Sequence, residues 1–408
     1  MSAPRSYELY GAEFRRNDRA IYARMRAEAP VVQQPGIDGH TPIWFVTGAA
    51  EVEQVLADSA TFARDPARVS PEMAADFQTP DPRVRAITDN HMLNYDGEDH
   101  RRLRALVSKA FTPRVIEALR PRIAAIANEL IDAVAARGHM ELVGEYAFPL
   151  PITVIAELLG VPSERRDDFR IWSDAFVQPA MTAEEQQRAM GLLGAFAAYM
   201  GELVAERRQN PRDDLISRLI QVEEQGDRLN ESELFSMIAL LIVAGHETTV
   251  SLIGDAALTL LQHPDALAEL RDNPALVPGA IEEFLRYESP VDRALVRFVV
   301  RDTLLGGQQL HHGDLLIVAL GAANHDEARF AHADELDIHR TPNPHMAFGK
   351  GIHYCLGAPL ARLEGAIAIQ TLIQRLPNLR LERAPDALAW RTAPLFRSLV
   401  ELPVSWDV

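Results

Sequence analysis

Hydrophobic positions fall at helical spacing along much of the chain. After Thr112, which reads as an N-cap, and Pro113 at the first helical position, Val115, Leu119, Ile123, Ile126, Leu130 and Val134 recur three or four residues apart. The run stops at Arg137-Gly138, so the pattern predicts one amphipathic helix from 113 to about 137. A second helix begins at Asn230, with Glu233 completing a capping-box pair, and nothing breaks it before His263-Pro264. At about 1.5 Å per residue it would span about 48 Å. Its segment 237–244 is apolar on every face, which predicts a course through the centre of the molecule. Strand-like pieces are short and scattered, at 43–46, 296–300, 315–320 and 399–404. No repeat, low-complexity tract or Gly/Ser linker interrupts the chain. The pattern predicts a mainly α protein with a small β region, folded as a single domain over residues 1–408.

Charge narrows the partners. Lys and Arg total 41 against 58 Asp and Glu, a formal net charge of −17, which repels phosphate backbones and argues against a nucleic-acid partner. One cysteine in 408 residues allows no internal disulfide and fits a reducing cytoplasm. The first twenty residues are rich in charge and hold no signal-like apolar run. The most apolar stretch, 234–245, falls short of the roughly 20 residues a membrane span needs, so no membrane association is expected.

The cysteine lies in Phe348-Gly349-Lys350-Gly351-Ile352-His353-Tyr354-Cys355-Leu356-Gly357, with Pro359 in the first turn of a helix-like run. A lone intracellular cysteine ordinarily reads as an inert core residue. Here glycines permit tight turns and close backbone approach, and a thiol just before a helix meets free N–H groups and the positive end of the dipole. Those surroundings favour thiolate, and a thiolate can ligate iron.

This loop resembles the haem-binding loop of the cytochrome P450 family, Phe-Gly-x-Gly-x-His-x-Cys-x-Gly, with every fixed position present. The resemblance implies a triangular helical fold whose long central helix crosses the haem, and haem b as cofactor. It makes Cys355 the axial metal ligand, whose electron donation favours O–O cleavage. Phe348 and Gly357 would pack by the thiolate, and His353 would reach a haem propionate.

Within the central helix, Ala244-Gly245-His246-Glu247-Thr248-Thr249 places a glycine, a carboxylate and hydroxyls in an apolar element. Each is locally unfavourable there. A kinked helix with hydroxyls bonded back to carbonyls one turn earlier would explain it. The family carries an Ala/Gly-Gly-x-Asp/Glu-Thr motif over the haem, which implies that Ala244 and Gly245 border the cofactor. It also implies that Glu247 and Thr248 relay protons to dioxygen. His246 falls at the variable position and receives no role.

Glu283 and Arg286 lie three apart on one helix face, a spacing that alone reads as a solvated pair. The resemblance instead joins them to Arg340 in a structural network. It nominates His100 and Arg104, from a His-x-x-x-Arg pattern, and Arg297, after Ser289-Pro290-Val291, as haem-propionate contacts. Seven of thirteen histidines fall between 311 and 353, without metal-ligand spacing, and read as loop histidines. A hydrophobic pocket is expected from 91–93, 172–181, Leu240, Leu241, Ala244, Val291, Ala294, Leu295 and Phe396. Arg293 is expected to point to solvent, with pairing to a substrate carboxylate as the alternative.

The implied activity is that of a soluble, cytoplasmic, monomeric haem-thiolate monooxygenase. It would oxidise a small hydrophobic substrate with dioxygen, electrons arriving from a ferredoxin and its reductase. Arg101, Arg102, Lys109, Lys350 and Arg362 would form a basic docking patch on the cysteine side. A peroxide-driven enzyme and a non-enzymatic haem gas binder are the competing classes.

Overall fold

The computed structural model describes residues 6–408 except 80, 166–167, 170, 173–174, 176–181 and 223–226. Most of the expected pocket segment 172–181 therefore lies outside the described residues.

The central helix runs Glu231–Gln262, 32 residues, as the pattern predicts. Asn230 Oδ1 accepts from the Glu233 amide at 3.0 Å, and Glu233 Oε2 accepts from the Asn230 amide at 2.9 Å, so both halves of the capping box form. Its burial extends well past residue 245. By length and composition this helix and Ala183–Gln209 are each apolar enough to cross a bilayer. The expectation that length excludes a span thus fails, because the apolar run continues through the second half. In this fold that surface is instead covered by the helices Pro82–Thr88, Pro149–Leu159, Val277–Glu288 and Ala358–Arg375.

The helix expected from 113 to 137 is two, Pro113–Ala118 and Arg120–Val134. Thr112 caps the first, accepting from the Val115 amide at 3.4 Å. Pro121 explains the break: it has no N–H for the Glu117 carbonyl, and its ring would collide with that oxygen in a continuous helix.

Three of the four strand pieces meet in one five-stranded sheet, ordered Val31–Pro35, Pro42–Val46, Leu315–Val318, Arg297–Val299, Phe62–Ala63. Pro42–Val46 pairs parallel with Leu315–Val318, and that strand pairs antiparallel with Arg297–Val299, setting Trp44 and Arg297 on either side of Leu316. Leu320 leaves the sheet to start a helix. The fourth piece contributes only Pro403–Ser405, held between His139–Glu141 and Arg380–Leu381. The sheet thus carries Arg297 inward at one edge of the helical body, and the loop before Ala358–Arg375 carries the cysteine.

Candidate functional site: a thiol loop, a cationic rim and an open stripe

The cysteine loop presses against the helix Ala49–Ala57. A Cβ on Gly351, at φ +73°, would lie 2.4 Å from the Leu56 carbonyl oxygen, so only glycine fits this turn. The Cys355 amide donates to Phe348 O at 3.0 Å, and Sγ faces the amides of Gly357 and Ala358, the first free donors of the following helix. Burial is the largest influence on the thiol and pushes its pKa up; those amides, with Arg104 and Arg362, pull down without reversing it. The thiolate-favouring groups expected from the sequence are in place, but desolvation outweighs them. A metal ion at Sγ would tip that balance, since a coordinating thiol is deprotonated outright. Phe348 packs beside the loop under the Arg362 guanidinium, 4.5 Å from the ring centre.

His100 and His353 meet edge-on with ring centres 4.5 Å apart, and His353 Nε2 lies 3.1 Å from Asp96 Oδ1. Arg297 is buried, and among the described residues its Nε and Nη1 have no hydrogen-bond partner; His100 Nε2 has none among them either. Burial, then the neighbouring Arg64, holds the Arg297 pKa down to about 9. Burial holds Arg64 near 10 and lowers Arg104. His100 is brought to about 4 by burial and then by the charges of His353 and Arg104. Guanidiniums and imidazoles therefore converge here, with Asp96 as the carboxylate among them. Buried, unpaired N–H donors in excess of anions fit a ligand carrying two carboxylates, as haem does.

Along the middle of the central helix Leu240, Val243, Ala244, Gly245 and Thr248 stay accessible, while Leu241, Ile242, His246, Glu247 and Thr249 are buried. Recurring at i, i+4 and i+8, Leu240, Ala244 and Thr248 form one open stripe on a core helix, the face a flat ligand would cover. Leu241 is turned about a hundred degrees away and is buried in the core, not on the stripe. Gly245 faces the Ile155 side chain, where a Cβ would come within 3.4 Å; its smallness serves helix packing. Thr248 Oγ1 donates to the Ala244 carbonyl at 3.0 Å, the back-bond expected of a hydroxyl in a helix.

Glu247 is 6% exposed. His246 Nε2 lies 3.3 Å from Oε1 and Arg391 Nη1 lies 4.0 Å from Oε2, yet Oε1 accepts no aligned hydrogen bond. Burial raises its pKa, and the His246 contact and Arg391 charge more than offset this, leaving the carboxyl below its ordinary value.

The predicted pocket segments at 291–295 and 395–396 come together through the Val291–Phe396 bridge and the Arg293 amide on Leu395 O, 3.1 Å. Val291, Ala294, Leu295 and Phe396 are all half-buried. Arg293 does not point to solvent: it is 1% exposed, donates from Nε to Tyr22 Oη at 2.7 Å and from Nη2 to Leu9 O at 2.7 Å, and lies over the Phe14 ring.

Three of the five residues of the expected basic patch are ion-paired. Arg102 pairs with Glu233 and Asp227, Lys350 with Glu53, and Arg362 with Glu282 through two hydrogen bonds at 2.7 and 2.8 Å. Sequence reasoning missed Arg64, Asp96 and Arg391. Asp96-Gly97 before a helix reads as an N-cap, but Asp96 makes no cap bond and serves His353 and the Arg64 and Asp65 amides instead.

The "Cytochrome P450" family model matches residues 37–386. Cytochrome P450 107B1 of Saccharopolyspora erythraea is 47% identical over 94% of this chain and 93% of its own length. Among solved structures, myxobacterial CYP267B1 in complex with myristic acid superposes with a TM-score of 0.92 at 43% identity, covering 98% of this chain and 99% of that one. The Bacillus subtilis bacillaene polyketide synthase P450 PksS gives 0.91 at 39% identity, covering 98% and 100%. A match of this extent, on a chain whose thiol loop and cationic rim suit haem b, means that the protein belongs to the cytochrome P450 family and is a haem-binding monooxygenase.

Proposed function

We propose that this enzyme, one haem domain throughout its length, uses dioxygen to hydroxylate a small hydrophobic substrate, working in the cytoplasm with electrons from a ferredoxin and its reductase. The observation that carries the reading is the open stripe of Leu240, Ala244 and Thr248 on a core helix, with the under-bonded Glu247 one residue from the hydroxyl. Haem, when bound, supplies reductive activation of dioxygen and transfer of one oxygen atom to substrate.

The chain's own residues do the rest. Cys355 would hold the iron, with the Gly357 and Ala358 amides tempering the sulfur's charge. His100, Arg104, Arg297 and His353 would bind the propionates, and Ala244 and Gly245 would border the ring. Glu247 and Thr248 would hand protons to the oxygen side in a pocket with little water. Leu240, Val291, Ala294, Leu295 and Phe396 present apolar surface, which suits an acyl or polyketide chain; relatives described with myristic acid or from polyketide synthesis support that class.

The test is reconstitution with a bacterial ferredoxin and reductase, isotopically labelled dioxygen, and panels of medium-chain fatty acids and macrolactones. One labelled oxygen atom should enter the product, and Thr248→Ala should divert electrons from product by about 10-fold or more. Turnover with peroxide that is indifferent to Thr248→Ala would instead assign a peroxygenase. Cys355→Ser should abolish the far-red-shifted Soret band of the reduced carbon monoxide complex. Its survival would remove Cys355 as ligand.

A further inference from the structure

His246 is fully buried, its ring edge-on to Phe148 with centres 5.6 Å apart. Nδ1 lies 2.9 Å from the Ile242 carbonyl oxygen. A carbonyl only accepts, so Nδ1 carries a hydrogen. Nε2 lies 3.3 Å from Oε1 of Glu247. In a neutral imidazole protonated at Nδ1, Nε2 is a lone pair, and two acceptors would face each other away from water. One additional proton on Nε2 turns that repulsion into an ion pair.

We propose that His246 and Glu247 form a buried imidazolium–carboxylate dyad, a proton store beside Thr248, in which His246 is the positioning residue that keeps Glu247 ionised and aimed. The inference rests on Glu247 and Thr248 being the proton relay. One proton passes from Nε2 to Oε1, leaving a neutral imidazole with its Nδ1 hydrogen and a neutral carboxylic acid. When the acid gives that proton to the hydroxyl side, the carboxylate returns, and a solvent proton restores the imidazolium. Among the described residues Arg391 is the other charged group facing Glu247. Its guanidinium favours the carboxylate but never releases a proton. Phe148 and Ile155, from the elements packed behind this turn, bring no charge.

The experiment is nitrogen NMR of histidine-labelled, haem-loaded protein in its diamagnetic reduced carbon monoxide form, with the His246 signal assigned by its loss in His246→Gln. Both ring nitrogens should be protonated at about pH 7 in the wild type, and only Nδ1 in Glu247→Gln. A neutral His246 in the wild type, or one still doubly protonated in Glu247→Gln, overturns the dyad. In parallel, product formed per electron pair should fall at alkaline pH in the wild type. His246→Gln should keep its haem and Soret spectrum, lose about 10-fold in coupling and lack that alkaline limb. Unchanged coupling with the limb retained overturns the dyad but leaves the relay standing. Failure of Thr248→Ala to uncouple overturns the relay itself.

Discussion

Glu283 and Glu247 are both buried, and their surroundings differ in kind. Glu283, with no exposed surface, receives Arg286 Nε and Nη2 at 2.8 and 2.7 Å, Arg340 Nε at 3.2 Å, Asn343 Nδ2 at 3.1 Å and the Asp337 amide at 3.0 Å. Arg286 in turn donates to the Asn324, Ala333 and Glu335 carbonyls. Every polar atom of that carboxylate is satisfied, and the hub ties the helix Val277–Glu288 to the chain that leads into the cysteine loop. Glu247 has an imidazole and a guanidinium at longer range and an oxygen with no aligned donor. A saturated buried charge holds a fold, while an under-bonded one is free to exchange a proton.

The largest effect should come from breaking the saturated member. Glu283→Ala strands two guanidiniums in the interior, one with no exposed surface, and should cost about 3–5 kcal/mol. Denaturant unfolding followed by circular dichroism measures it, with poor haem retention as a second readout. A cost below about 1 kcal/mol would reduce the hub to an ordinary ion pair and erase the contrast.

Glu364, on the cysteine helix, extends the comparison to a buried acid with neither oxygen hydrogen-bonded. Burial raises its pKa to about 8, against a small opposing pull from Thr249. The unfolded chain ionises this group from about pH 4.5 upward and the folded chain only near 8, so stability is full below 4.5 and is lost as pH rises between the two. Glu364→Gln should therefore raise the unfolding free energy at pH 8 by on the order of a few kcal/mol, and with it the melting temperature, and change both little at pH 4.5. An equal gain at both values would mean that the carboxyl ionises as readily in the fold as in the unfolded chain.

Arg102 sits between these extremes, partly exposed and bound to the capping glutamate of the central helix. Arg102→Ala should cost about 1 kcal/mol in the same unfolding experiment. It should leave Glu247-dependent coupling untouched, because its partner stands at the far N-terminal end of the helix. A change in coupling without a change in stability would return Arg102 to a docking role.

Local signals made much of this legible. The central helix was readable to within its caps because Asn230, Glu233 and His263-Pro264 are short-range marks. The break before Arg120 was equally local, written in Pro121, but lay beneath an uninterrupted apolar spacing. Sheet order, by contrast, depends on pairings across the whole chain. The thiol loop was legible because its glycines are demanded by backbone contacts, as Gly351 against Leu56 demonstrates. Arg64, Asp96 and Arg391 were not, since their partners are remote in sequence and their own neighbours carry no pattern. Arg293 was misread because its partners, Tyr22 and the Leu9 carbonyl, are remote in sequence. The ion pairing of the basic patch was not legible, because charges counted along the sequence do not reveal the carboxylates that meet them.

The smallest expected effect is the sharpest test of the opening contrast. Glu247→Gln keeps the size and shape of the side chain and removes its charge. The charged form has a desolvation cost that His246 at 3.3 Å and Arg391 at 4.0 Å outweigh by a small margin. A neutral amide avoids that cost, can donate to the His246 nitrogen and surrenders two modest attractions. These changes oppose one another, so stability should stay within about 1 kcal/mol of the wild type, with haem content unchanged, while coupling of electrons to product falls by about 10-fold or more. Thermal unfolding of the haem-loaded variant, measured beside Glu283→Ala under the same conditions, checks the first half and product analysis the second. A stability loss as large as that of Glu283→Ala would show that Glu247 holds the fold as firmly as the hub does, and its lack of donors would no longer distinguish a chemical role from a structural one.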